Sequence, residues 1–171
     1  QQKLEQLGVE LAIVEHNLVD QVWGDAQPSL PKDTIQLHAL EYSGLSSLDK
    51  TKAVREQMRA EACNYLVVTD LTLVAWLLNL RGQALPTTPI FVAYVLVGLN
   101  DVTLFVDTAA LTPVVDAYLL GSAFNVQPYA EFESCLQEIS GCVWLDPRRT
   151  SYAVVRQLLR AGAQHKLLES P

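Results

Sequence analysis

Long apolar runs are missing from this chain: the two longest, around Leu71 to Leu80 and Ile90 to Leu99, are broken by Asn79, Arg81 and Gly98 well short of the ~20 residues that a membrane span requires. Positive charge is scarce as well, since 12 Lys and Arg against 19 Asp and Glu leave a net charge of −7. That is the wrong sign for electrostatic capture of nucleic acid or of an anionic membrane face, so neither is an expected partner. Cysteine is sparse. Cys63, Cys135 and Cys142 are odd in number and form no CxxC pair, which argues against a disulfide framework or a zinc knuckle and suits a reducing, cytoplasmic setting. Pairing of Cys135 with Cys142 stays open. His16, His38 and His165 lie far apart and in no HxH or HExxH spacing, and packing or solvent-facing roles are the simpler reading. The nucleophile elbow GxSxG, the dinucleotide fingerprint GxGxxG and the phosphate loop GxxxxGK[ST] are all absent. So is a basic leader with an apolar core. The chain starts at Gln1 and stops at Ser170-Pro171, and both ends read as cuts through a longer polypeptide.

What is present is a chain of 171 residues, 50% of them apolar, enough to bury roughly 70% of its unfolded surface in one domain. Residues Gln1 to Leu7 read as the tail of an amphipathic helix and Leu11 to Val14 as a short buried strand. Asn17 can cap a brief helix carrying Leu18, Val19, Val22 and Trp23, followed by a proline-containing loop from Gly24 to Lys32. Beyond it, strand-like and helix-like segments alternate, the pattern of a layered α/β domain. Ile35, Leu37 and Leu40 suit an extended segment. A helix is predicted from Ser46 or Ser47 to Ala60, with Leu48, Val54 and Met58 inward and Lys50, Lys52, Arg55, Glu56 and Arg59 in water. Strand Tyr65 to Thr69, helix Leu71 to Leu78 and loop Arg81 to Pro89 follow. Ile90 to Val97 and Val102 to Val106 flank Gly98-Leu99-Asn100-Asp101 as an antiparallel hairpin, so the sheet must be mixed. Helix Pro113 to Leu120, strand Phe124 to Gln127, helix Phe132 to Ile139, strand Val143 to Leu145 and helix Ser151 to Leu159 complete the alternation.

Three aspartates, Asp70, Asp107 and Asp146, close the apolar runs VVTD, LFVD and VWLD. Carboxylates gathered at strand ends can hold two divalent ions for phosphoryl transfer in a stand-alone nuclease of ribonuclease H-like fold. The preferred reading is that each caps the helix that follows, most naturally at Asp146, where Pro147 suits a first helical position. Cys63 reads as a small core residue. Trp76, in a helix apolar nearly all round, reads as core. Asn79-Leu80-Arg81-Gly82 admits two readings: a guanidinium anchored at a loop mouth, or a helix C-terminus in which Gly82 turns left-handed and Arg81 meets the dipole. A third class, a binding module that recruits a protein through an exposed apolar face, also stays open.

Several separated motifs resemble one family together: Asn17-Leu18-Val19-Asp20-Gln21-Val22-Trp23, Tyr42-Ser43-Gly44-Leu45-Ser46 with Lys50 behind it, Val67-Val68-Thr69 leading to Ala75-Trp76-Leu77-Leu78-Asn79-Leu80-Arg81-Gly82, Pro89-Ile90-Phe91 with Ala93-Tyr94, and Ser151-Tyr152-Ala153-Val154. In order and spacing they resemble the aminopeptidase P (Xaa-Pro aminopeptidase) family. Leu85-Pro86-Thr87-Thr88-Pro89 departs from it, since the family often carries acidic or polar residues there. The resemblance implies two creatinase-like amino-terminal domains of ribonuclease H-like topology ahead of a catalytic domain. Residues 17–171 would be the second of these, a mixed β-sheet flanked by helices, and residues 1–16 a remnant of the first or a linker. It also implies a hydrolase, a metallopeptidase acting on short peptides with proline at the second position. Its two divalent ions, usually manganese, are held by two Asp, one His and two Glu in the catalytic domain, so no catalytic residue, metal ligand or cofactor is assigned here. Partners would be that catalytic domain in cis and a second copy of the parent. Arg81, with Gly82 and Asn79, is the candidate for the cleft-facing position.

Overall fold

The computed structural model describes residues 6–10, 12, 14, 16–31 and 34–171. The chain divides into two compact units, Gln1–Leu30 and Pro31–Pro171. In the first, Asn17 caps helix α1 (Leu18–Trp23) by accepting a hydrogen bond from the Val19 N–H at 3.0 Å, as its short polar side chain and extended backbone predict. Gly24, at φ 49°, stops that helix and opens a 3₁₀ turn over Gly24–Ala26, a conformation that favours a residue without Cβ. The helix read over Gln1 to Leu7 lies largely outside the described residues, as do Leu11 and Ile13. The remaining part of the expected strand, Ala12 and Val14, is exposed and in no strand.

The second unit carries a six-stranded sheet in the order β6-β5-β4-β2-β7-β8, built from β2 (Tyr65–Val68), β4 (Ala93–Gly98), β5 (Val102–Val106), β6 (Asn125–Pro128), β7 (Cys142–Leu145) and β8 (Gln164–Leu167). Strand β4 runs antiparallel to both of its neighbours, while the β2–β7, β7–β8 and β5–β6 pairs are parallel. A separate antiparallel pair joins β1 (Gln36–Leu37) to β3 (Leu80–Arg81). The sheet is covered on both faces, so its strands read as continuous apolar runs rather than alternating ones. Successive residues of β2 divide between the two layers: Leu66 and Val68 pack with Val54, Met58, Val74, Leu78, Val115 and Leu119, whereas Val67 packs with Phe132, Leu136, Val154 and Leu158. Helices α3 (Ser47–Ala60), α4 (Leu71–Leu78) and α5 (Pro113–Gly121) thus cover one face, and α6 (Phe132–Glu138) and α7 (Tyr152–Arg160) cover the other.

The mixed α/β sheet and the hairpin agree with the sequence pattern, and four local readings do not. Leu40 opens a short helix, α2 (Leu40–Ser43), instead of extending β1. In α3 the buried stripe is Ser47, Lys50, Thr51, Val54 and Met58, while Leu48 is 52% exposed. Met58, Val54, Thr51 and Ser47 follow the i, i+4, i+7, i+11 spacing that keeps one helical face inward, and Lys50 shares that face. Trp76 is 44% exposed because Val74, Ala75, Leu77 and Leu78 take the inward positions of α4. Asp146 heads a turn rather than a helix, since α7 does not begin until Tyr152. Strand β8 had no sequence-level counterpart; its residues Gln164, His165, Lys166 and Leu167 lack the apolar run that marks a covered strand.

Candidate functional site

The residues singled out at the end of α4 form one bonded cluster. Helix α4 closes at Asn79, which adopts the left-handed conformation at φ 53° and ψ 41°, tolerable for a short polar side chain that bonds locally. Asn79 is buried, and its Nδ2 donates to the Leu45 carbonyl at 2.8 Å. The Lys50 ammonium, on a residue only 3% exposed, donates to Asn79 Oδ1 at 2.6 Å and to the Trp76 carbonyl at 2.8 Å. It also lies 4.6 Å from the Trp76 ring centroid, within cation–π range. The lysine expected in water is therefore the buried tie between α3 and the C-terminus of α4. Its signal in the sequence is the shared helical phase of Ser47, Lys50 and Thr51.

Arg81 follows in β3, where it pairs with Gln36, and its Nη1 donates to the carbonyls of Ala75 at 2.7 Å and Leu80 at 2.8 Å. A cation bonded to a last-turn carbonyl satisfies both an orphan acceptor and the helix dipole. The left-handed residue of this terminus is Asn79 and not Gly82. Gly82 is needed for close packing instead: a Cβ there would meet Phe91 Cβ at 2.7 Å and the Ile90 carbonyl oxygen at 2.9 Å. Across from the turn, the His38 N–H donates to the Asn79 carbonyl at 2.8 Å, and the His38 ring lies 5.9 Å from that of Tyr42. Desolvation first, and then the charges of Arg81 and Lys50, hold the His38 imidazole below its usual pKa. Burial, followed by the charge of Arg81, lowers Lys50 likewise. A hollow beside the cluster is lined by Leu37, His38, Leu40, Leu48, Asn79 and Tyr118.

The three strand-end aspartates are each engaged by hydrogen bonds. Asp70 Oδ1 accepts from the N–H groups of Thr72 and Leu73, and Asp107 accepts from Ala109 N–H. Asp146, 2% exposed, accepts from Arg148 N–H at 2.9 Å and from the N–H and hydroxyl of Ser170 at 3.0 and 2.9 Å. Burial alone would raise the Asp146 pKa, but these bonds and the nearby Arg149 outweigh it and hold the carboxyl below the usual range. Asp70 and Asp146 are brought together at the ends of neighbouring strands, with the Arg149 guanidinium ion-paired to both. The charge of these two carboxylates is thus met by a protein cation. Asp107 closes β5, separated from β2 by β4, and adjacent strands are ~4.8 Å apart. Among the described residues, no three His, Cys, Asp or Glu side chains converge in a way that could hold a metal ion.

Cys63 is buried, as expected of a small core residue, and its Sγ lies 3.5 Å from that of Cys142. Burial, aided by that contact, pushes the Cys63 thiol up to about 11, which disfavours the thiolate a nucleophile requires. All three cysteines are free, and Cys142 is near Cys63. Among the described residues, no helix is long and apolar enough to cross a membrane.

The pattern of the creatinase/prolidase N-terminal domain family matches residues 26–171. Among similar proteins, "Probable Xaa-Pro aminopeptidase P" of Talaromyces marneffei is 37% identical over 126 residues, which cover 74% of this chain and 19% of that protein. "Aminopeptidase P2" of Arabidopsis thaliana is 32% identical over 145 residues, covering 81% of this chain and 20% of its own length. The chain thus spans about a fifth of the length of these curated relatives. Among solved structures, the X-prolyl aminopeptidase of Caenorhabditis elegans, described as a cytosolic enzyme with a di-nuclear active site, superposes with a TM-score of 0.84 at 26% identity, over 98% of this chain and 28% of that one. The N-terminal domain of the cytoplasmic peptidase PepQ from Mycobacterium tuberculosis shares the fold, with a TM-score of 0.50 at 15% identity over 72% of this chain and 92% of that one. By the match over residues 26–171 and the shared mixed sheet, this chain belongs to the creatinase/prolidase N-terminal domain family.

Proposed function

We propose that this chain is the non-catalytic middle domain of a metal-dependent Xaa-Pro aminopeptidase, covering the cleft of a separate catalytic domain and helping to position short peptides with proline at the second position. The observation that carries this reading is the superposition of 98% of the chain on just 28% of an X-prolyl aminopeptidase. The two ions of the parent, manganese by the family resemblance, would sit in the catalytic domain and supply the Lewis acid and the activated water. The contribution of this chain is orientation and exclusion of water, through a rigid wall against which a short peptide is held. In this reading the Arg81 guanidinium faces the cleft, and the buried Asn79 and Gly82 serve it by holding the turn that carries it, which the Lys50 and Asn79 bonds support. In the same reading residues 1–16 go with a preceding domain and residues 17–171 form the middle one. The parent works in the cytoplasm, and a homodimer is the proposed assembly.

Arg81→Ala in the full-length protein tests the assignment. The expected result is a roughly tenfold lower kcat/KM or a higher KM on a proline peptide, the size of one charge-assisted hydrogen bond. Wild-type kinetics from a folded variant would remove Arg81 from the cleft. This chain by itself should neither cleave such peptides nor bind Mn²⁺ tightly; tight binding would return the strand-end aspartates to a catalytic role.

A further inference from the structure

We infer that the Arg81 end of the domain is a carboxylate-binding site, in which the Arg81 guanidinium is the donor and the Lys50 ammonium supplies a surrounding positive field. In a chain of net charge −7, acidic groups are plentiful, and the described Arg148, Arg149 and Lys166 all pair with one. Among the described residues no carboxylate lies within ion-pair distance of His38, Lys50 or Arg81; the recorded ion pairs all lie elsewhere. The Lys50 ammonium is held by a carbonyl, an amide oxygen and an aromatic face, so its charge is solvated by dipoles and left unneutralised. Burying a cation without a counter-ion is costly, and it leaves a positive potential at the turn that an incoming anion would compensate.

The free donors are on Arg81. Its Nη1 makes both backbone bonds, while Nε and Nη2 meet no acceptor among the described residues and are not buried away from solvent. Nε and Nη2 form the edge of the guanidinium that takes a carboxylate through two parallel bonds. Trp76 beside Lys50 and Tyr42 beside His38 add exposed apolar surface around the same turn.

This inference rests on the reading of the Arg81 face as a wall of the peptide cleft. The carboxylate would come from the C-terminus of the short peptide, or from an Asp or Glu side chain of the docked catalytic domain. The test compares an Xaa-Pro-Xaa tripeptide as free acid and as C-terminal amide on the full-length protein, with Arg81→Met, Arg81→Lys and Lys50→Met beside the wild type. The expected result is a preference for the acid of about tenfold in kcat/KM. That preference should collapse towards one in Arg81→Met, survive in part in Arg81→Lys, which keeps the charge without the fork, and weaken in Lys50→Met. If the wild type has no preference, but Arg81→Met slows both peptides alike and lowers the melting temperature of the full-length protein, the carboxylate belongs to the catalytic domain. A preference that persists in Arg81→Met overturns the inference. Equal slowing at an unchanged melting temperature also overturns it, while leaving the cleft reading intact. No effect on either peptide would defeat both.

Discussion

Replacing Asn79 by glycine and by alanine separates the two jobs this residue performs. The side chain accepts a charge-assisted bond from Lys50 and donates one to Leu45, worth about 1.5–3 and about 1 kcal/mol respectively. The backbone sits at φ 53°, where a side chain that cannot bond locally costs ~1–2 kcal/mol. Glycine removes both bonds but fits the backbone, so Asn79→Gly should cost about 3 kcal/mol, part of it from the greater freedom of glycine in the unfolded chain. Asn79→Ala should cost about 1 kcal/mol more, because it adds the conformational penalty. Urea unfolding of this chain, with a slope of about 2 kcal/mol per molar, would place the two midpoints roughly 1.5 and 2 M below wild type. A glycine variant with the wild-type midpoint would mean the Lys50–Asn79–Leu45 tie contributes nothing. Equal midpoints for the two variants would mean that the left-handed turn is not what selects the residue.

Other consequences follow from the same contacts. Asp146 has a folded pKa below its unfolded value, so its contribution is fully present above the unfolded pKa and lost as pH falls through the folded one. Melting temperature measured from pH 7 downwards should show a shallower acid decline for Asp146→Asn than for wild type, on top of a loss of about 1–3 kcal/mol at neutral pH; parallel curves would refute the assignment. With its thiol pushed up to about 11, Cys63 in the native chain at pH 8 should be alkylated on the order of a hundredfold more slowly than an unfolded-state cysteine. Peptide mapping after iodoacetamide checks this, and rapid labelling of Cys63 would count against its buried environment. Gly82→Ala drives a Cβ to 2.7 Å from Phe91 Cβ and should destabilise by about 1–3 kcal/mol; a neutral thermal-melt result would show that the Ile90–Phe91 segment yields freely.

Much of the fold was legible because the strands and helices carry distinct periods. Helix α4 begins and ends where the sequence places it, at Leu71 and Leu78, since Asp70 offers a cap and Asn79 a stop. The β4–β5 hairpin is equally clear from two β-rich runs around a short turn. Strand β8 was not, because it lies at the sheet edge with exposed Gln164 and Lys166 and shows no apolar period. At the site, the turn containing Asn79, Arg81 and Gly82 was visible as a motif, but its internal division of labour was not. Charge alone places Lys50 in water, and only its helical phase against Ser47 and Thr51 argues otherwise.

By itself, the sequence determined what acts over short range or through bulk composition: the helix caps at Asn17 and Asp70, the covered strands, the mixed sheet and the family resemblance. Tertiary structure alone decided which polar groups meet. Lys50 and Asn79 are 29 residues apart and Arg149 and Asp70 are 79 apart, so their bonds depend on how α3 lies on α4 and on the adjacency of β2 and β7. No local propensity encodes such contacts, because they exist only once burial of the two apolar layers has set the distances between elements.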